Sequence, residues 1–172
     1  IQSYDNVNAN RIQLLGVSNG ASLANNVLVQ NNNPGLSSIV AVVSQLSEFQ
    51  FQQGVFFGPS GETDPNLPVC GYDNPEFVIP GRRYLAVSNQ NDFIPYFGGP
   101  SSVGVDFLPA QWAIFFVAQT QGYTGEPIIG EGVLVEDDTF EYVYLGGDVV
   151  HVRGFAQHGM NSVQETYVRD FL

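Results

Sequence analysis

Lysine is absent from the chain, and Arg11, Arg82, Arg83, Arg153 and Arg169 are its only permanent cations. Seventeen Asp and Glu residues outweigh them, leaving a formal net charge of −12 over 172 residues. Neutralising a nucleic-acid backbone takes a patch of Lys and Arg, and five scattered arginines do not form one, so nucleic acid is excluded as a partner. Binding to an anionic membrane surface is excluded on the same ground. The surface is not crowded with carboxylates either: only 13% of residues are charged, and Asn and Gln carry much of the polarity. Cysteine is nearly absent, and Cys70 alone permits no internal disulfide. A free thiol and a bridge to another chain both remain open for it. No run of 18 apolar residues, no secretory leader pattern and no Asn-x-Ser/Thr sequon occurs. The spacing of His, Cys and carboxylates fits no zinc site, and no metal or cofactor is expected.

What the chain does contain begins with Leu14-Leu15-Gly16-Val17-Ser18-Asn19-Gly20-Ala21-Ser22. An apolar strand here runs into Gly-x-Ser-x-Gly and then into a helix-forming segment, the context of a nucleophile elbow. A serine on such a strand-to-helix turn is held in a strained backbone conformation with its hydroxyl projecting from the sheet, and small residues two before and two after it let backbone pass close by. Gly16 and Gly20 occupy those positions.

A hydrolase elbow of this kind is completed by an acid and then a histidine, each just past a later strand. Arg83 to Ser88 reads as a buried strand running into Asn89-Gln90-Asn91-Asp92-Phe93-Ile94-Pro95-Tyr96, where turn formers surround Asp92. Closing strands over Tyr142–Leu145 and Val149–Val152 lead to Gly154-Phe155-Ala156-Gln157-His158-Gly159, a glycine-bounded loop before a last helix. Ser18, Asp92 and His158 therefore fall in the required order on the required kind of loop. His151 lies in strand alternation with no glycine-framed loop, and reads as a structural histidine.

The elbow with Ser-Asn-Gly-Ala, the segment Asn91-Asp92-Phe93-Ile94-Pro95-Tyr96-Phe97-Gly98-Gly99, and Gln157-His158-Gly159 leading to Asp170-Phe171-Leu172 resemble the secreted esterase branch of the α/β-hydrolases. That branch holds polyhydroxybutyrate depolymerases, feruloyl esterases and acetylxylan esterases. The resemblance runs from about Arg11 to Leu172, and Asn-Asp-x-x-Pro-Tyr-x-Gly-Gly is its most specific part. It implies Ser18 as nucleophile, Asp92 as orienting acid, His158 as general base and a secreted protein acting on polyester or on polysaccharide-linked esters. The backbone N–H of Asn19, directly after the nucleophile, is the expected oxyanion donor. Family members carry several strands and a His-Gly-type oxyanion loop ahead of the elbow, whereas only 17 residues precede Ser18 here.

The length suffices for one domain with a sizeable core, residues 1–172. It is short for a complete hydrolase of this type, so the chain reads as the C-terminal portion of that fold. A strand from an N-terminal fragment of the same precursor, or from another subunit, is then expected to pair with Ile12–Val17; a self-sufficient minimal hydrolase is the alternative.

Alternation of strands and helices predicts an α/β fold with a mostly parallel sheet covered by helices on both faces. Strands are expected over Ile12–Val17, Ile39–Val43 and residues 83–88, with a strand pair over 132–152. Helices are expected over Ala21–Gln30, Ala110–Gln121 and Ser162–Leu172, the last started by a Ser162/Glu165 capping box. The segment Phe49–Gly81 has no strong period and many aromatics. Phe56, Phe57 and Tyr72 within it, with Tyr96 beyond the acid, are expected to line a substrate pocket. Packing of these rings against the body is the other reading. Glu136-Asp137-Asp138 reads as an acidic turn, and Asp64 and Asp73 as turn residues in Pro-rich stretches.

Two functions of different classes follow. One is a serine esterase cleaving esters through an acyl-enzyme. The other is a hydrolase-like domain serving as a catalytically silent binding or structural module of an extracellular assembly.

Overall fold

The computed structural model describes residues 3–62 and 71–172; Asp64 and Cys70 lie outside the described residues. In chain order the elements are β1 (Ile12–Val17), α1 (Asn19–Gln30), β2 (Leu36–Val42), β3 (Phe51–Gln52), β4 (Val55–Pro59), β5 (Tyr72–Glu76), β6 (Arg83–Asn89), β7 (Gly99–Pro100), β8 (Asp106–Phe107), α2 (Ala110–Thr120), β9 (Val133–Glu136), β10 (Thr139–Tyr144), β11 (Val149–Gly154) and α3 (Ser162–Phe171). One six-stranded sheet has the order β1-β2-β6-β11-β10-β9. Its first four strands run parallel, and β10 and β9 are added antiparallel.

The middle strands read as continuous apolar runs because both of their faces are covered. On β2, Ile39 and Ala41 face one way, into a core shared with Ala21, Ala24 and Leu28 of α1 and with Ala113, Ile114 and Val117 of α2. Val40 and Val42 face the other way, with Leu85, Val87, Val150 and Val152, against Val168 and Phe171 of α3. Helices thus cover both faces of a mostly parallel sheet.

Edge strand β1 differs. Ile12 and Leu14 pack against the α1 side, while Leu15 and Val17 are 43% and 46% exposed. The N–H groups of Ile12 and Ser18 donate toward β2, to Gly35 and Val42. By the two-residue alternation of a strand, those of Gln13, Leu15 and Val17 point to the open edge.

Arg82, buried just before β6, holds the end of α1. Its guanidinium donates to the carbonyl oxygens of Asn31 (2.9 Å), Asn33 (3.0 Å) and Leu36 (3.0 Å), and at 3.4 Å to Leu28. A helix C-terminus leaves its last carbonyls without partners, and a planar cation satisfies several at once.

Two local expectations are corrected. α3 begins at Ser162 as expected, but its cap is one residue earlier than the Ser162/Glu165 spacing suggested: Asn161 is the cap, its Oδ1 accepting from the Gln164 N–H while the Gln164 side chain accepts from the Asn161 N–H. The segment after Phe49 contains a small antiparallel sheet, β3-β4-β5. Its two- and five-residue strands, broken by Gly and Pro, are too short to show a period. Among the described residues, no helix is long and apolar enough to cross a membrane.

Candidate active site

Three loops meet at the C-terminal ends of the parallel strands β1, β6 and β11. Ser18, between β1 and α1, has φ 56° and ψ −121°, a conformation that non-glycine residues rarely adopt and that costs of order 1–3 kcal/mol. Its N–H is tied to Val42 at the end of β2 (2.9 Å), and its carbonyl accepts from Ala21 and Ser22 in the first turn of α1. The strained serine is therefore fixed from both sides.

Asp92 follows β6, and its Oδ1 accepts from the N–H of Ile94 (3.0 Å). Its side chain is 2% exposed and that of His158 is 24% exposed. Nδ1 of His158 stands 2.8 Å from Asp92 Oδ1 and 3.0 Å from Oδ2. Nε2 of the same ring stands 2.7 Å from Ser18 Oγ. A carboxylate only accepts hydrogen bonds, so Nδ1 carries a proton toward Asp92, and in the neutral ring Nε2 then presents its lone pair to the serine hydroxyl. Ser18, Asp92 and His158, separated by as many as 140 positions in the chain, are brought into one hydrogen-bonded line.

Beside Ser18, Asn19 is the first residue of α1, so its N–H has no acceptor inside the helix. No acidic side chain occupies the first turn of α1. The helix end is accordingly free to stabilise a negative charge.

A cavity of about 200 Å³ opens on Ser18 and Asn19. Phe49, Tyr72, Phe93, Ile94, Val103 and Phe107 form apolar walls, and Ser22, Ser44, Ser47 and Gln50 add hydroxyl and amide groups. The Ser22 and Ser44 hydroxyls are 2.8 Å apart, and the Gln50 amide donates to Asn26 Oδ1. Val43 also lines the cavity. It is a buried β-branched residue at φ 52°, an outlier for its type and a second point of strain beside the serine. Phe93 lies across the His158 ring with centroids 4.2 Å apart.

Of the four aromatic residues expected to line the pocket, Tyr72 does so. Phe56 does not: it is 3% exposed, on the inward face of β4, with its ring edge-on to Phe51. Phe57, its neighbour on the outward side of β4, pairs with Pro75 and is likewise absent from the cavity. Tyr96 is drawn under the sheet, 4% exposed, because its carbonyl accepts the first N–H of α2 and its ring packs on Phe97 and His151. Phe49 and Phe93 hold the wall positions instead.

His151 is fully buried, stacked between Tyr96 (5.8 Å) and Tyr142 (5.0 Å), and neither of its ring nitrogens has a hydrogen-bond partner among the described residues. Burial above all, with the nearby Arg153 charge, lowers its pKa to about 3 and keeps it neutral. Burial, reinforced by Tyr142, pushes the Tyr96 phenol well above its ordinary range. Asp137 and Asp138 take positive φ in the exposed turn between β9 and β10, and Asp73 lies in β5. Among the described residues no group of three or more His, Cys, Asp or Glu could hold a metal ion.

Asn89 and Asn91 also bear on the site through contacts with the His158 loop, and Gln164 through its contact with Asn89. Their sequence signal, polar residues in a turn and a cap, is the one any surface loop carries. No family model, no curated protein and no solved structure matches this chain.

Proposed function

We propose that this chain carries the catalytic centre of a secreted serine esterase of the α/β-hydrolase fold. The observation that supports this most is the unbroken line Asp92–His158–Ser18 at the C-terminal ends of three parallel strands, the edge at which open α/β sheets bind ligands. His158, oriented by Asp92, takes the proton from Ser18 as Oγ attacks the ester carbonyl carbon. The tetrahedral oxyanion is met by the Asn19 N–H. Collapse of the intermediate breaks the ester C–O bond, with His158 returning its proton to the departing alcohol. Water, deprotonated by the same histidine, then hydrolyses the acyl-enzyme.

The cavity of about 200 Å³ is smaller than the ~300–1,000 Å³ common for drug-sized ligands, which favours short acyl or single-ring groups. Esters of polyesters or of polysaccharides offer such groups one at a time. A second oxyanion donor is required for full rate, and omission of one typically costs about 10²–10³ in turnover. We assign it to a partner strand or loop added at the β1 edge, from the same precursor or another subunit. The N–H groups that β1 turns to its open edge, with the apolar Leu15 and Val17 left exposed on its face, support that assignment. The same exposed edge favours the second reading, a silent module docked in an extracellular assembly.

Hydrolysis of nitrophenyl esters of graded acyl length distinguishes the two. The esterase reading expects turnover that falls as the acyl chain outgrows the cavity and that disappears in Ser18→Ala. Retained turnover in that variant would remove Ser18 from its role, and absent turnover in the wild type together with unreactive Ser18 would favour the module.

A further inference from the structure

The acid loop and the base loop leave neighbouring strands, with Asn89 at the end of β6 opposite Gly154 at the end of β11. The Asp92–His158 contact at 2.8 Å depends on how far apart those loops stand. Asn89 spans the gap. Only 1% exposed, it donates from Nδ2 to the carbonyl oxygens of Gln157 (3.2 Å) and Gly159 (2.6 Å), the residues on either side of His158. Its Oδ1 accepts from Nε2 of the fully buried Gln164 (2.8 Å). Asn91, next to the acid, donates from its exposed side to the carbonyl of Phe155 (2.7 Å), at the start of the same loop.

The orientation of these amides follows from their partners. Gln164 Oε1 faces the backbone N–H of Asn161, which can only donate, so Gln164 must present Nε2 to Asn89. Asn89 must then turn its oxygen to Gln164 and its NH₂ to the two carbonyls, which can only accept. The helix cap of α3 and the loop carrying His158 are therefore wired to the acid strand by one amide chain. Gly154 is constrained by it too: a Cβ there would stand 2.5 Å from Gln164 Nε2 and 2.7 Å from Asn89 Oδ1.

We propose that Asn89 and Asn91 are positioning residues of the reaction. They clamp the backbone around His158 at both ends of its loop, and so hold the imidazole in register between Asp92 and Ser18. This rests on the hydrolase reading for its kinetic consequence, though the clamp itself has a readout independent of hydrolysis.

The test uses the full chain with Asn89→Asp, Gln164→Glu and Asn91→Ala. Asn89→Asp keeps the shape and the acceptor for Gln164 but sets an oxygen against two carbonyl oxygens. Gln164→Glu keeps the acceptor for Asn161 and loses the donor to Asn89. Asn91 is exposed, so its replacement leaves the core untouched and carries the test even if the buried variants do not fold. We expect kcat to fall by about 10²-fold in Asn89→Asp, the scale of a misplaced catalytic group, and by a smaller factor in Asn91→Ala, with KM near the wild-type value. In an Asp92→Asn background the same changes should cost little more, because they act through the same contact.

The second readout is the proton resonance of the His158 Nδ1–H, expected far downfield in the wild type and shifted or exchange-broadened in each clamp variant that folds. Wild-type kcat with an unmoved resonance in Asn91→Ala, or losses that simply add to that of Asp92→Asn, would overturn the proposal. Should Ser18→Ala remain active, the nucleophile assignment falls while the resonance still reports on the clamp.

Discussion

A methyl group on Gly16 would stand 2.0 Å from the carbonyl oxygen of Gly20. β1 and the first turn of α1 therefore meet through bare backbone, with Ser18 held between them. At Gly20 the same addition meets nothing within 4 Å. The two glycines of the elbow are thus not equivalent. Gly16→Ala should displace the turn, lowering both thermal stability and ester hydrolysis, the latter by about 10²-fold or more. Gly20→Ala should leave hydrolysis near wild type and steady α1 by up to ~1 kcal/mol. Melting curves and initial rates on both variants check this, and the opposite order of effects would contradict it.

His151 sets an acid limit on stability. Its pKa of about 3 in the folded chain lies below the ~6.5 of an unfolded histidine. Between those values the unfolded chain holds the extra proton, so stability rises with pH across that window. The contribution is complete above about 6.5 and is lost as pH falls toward 3. His151→Phe keeps a ring between Tyr96 and Tyr142 and removes two buried nitrogens without partners. Urea denaturation at stepped pH should give a shallower acid slope for this variant, with stability at pH 7 at least that of the wild type. An unchanged slope would place the acid sensitivity elsewhere.

The sheet and the meeting of Ser18, His158 and Asp92 were legible because their signals are local. Val and Ile runs mark strands covered on both faces, and glycine-framed turns mark the loops that carry Ser18 and His158. The pocket wall was not, because whether Phe56 faces the cavity or the core depends on the register of β4 against β3 and β5, which strands this short do not announce. Tyr96 was misplaced for a related reason: its neighbours Asp92 and Ile94 stay at the site, while its own carbonyl is committed to starting α2. The amide chain from Asn89 to Gln164 joins positions 75 apart, and no single stretch of sequence contains it.

Among the described residues Arg82 has no carboxylate partner and closes the end of α1 through carbonyl oxygens. Arg82→Met should strand those acceptors and destabilise the fold by about 3 kcal/mol. Arg82→Lys should recover only part, since one ammonium cannot span the same fork. Equilibrium urea unfolding measures both, and a change below about 0.5 kcal/mol in Arg82→Met would refute the role.

The open edge of β1 should behave as an association surface. Residues 1–172 alone are expected to self-associate, and Leu15→Lys with Val17→Lys should suppress it, as charged residues do on natural sheet edges. Sedimentation velocity tests this. A soluble, cooperatively unfolding wild-type monomer would show that the edge needs no added strand.

The most direct test of the catalytic assignment is covalent labelling by a fluorophosphonate, with the modified residue located by peptide mass spectrometry. The reagent needs an activated serine and not full turnover, so it reads the Ser18–His158 contact of 2.7 Å with least dependence on other groups. Labelling of Ser18, lost in His158→Ala and strongly slowed in Asp92→Asn, is the expected result. An unlabelled Ser18 in the folded protein, or labelling that persists without His158, would contradict the account.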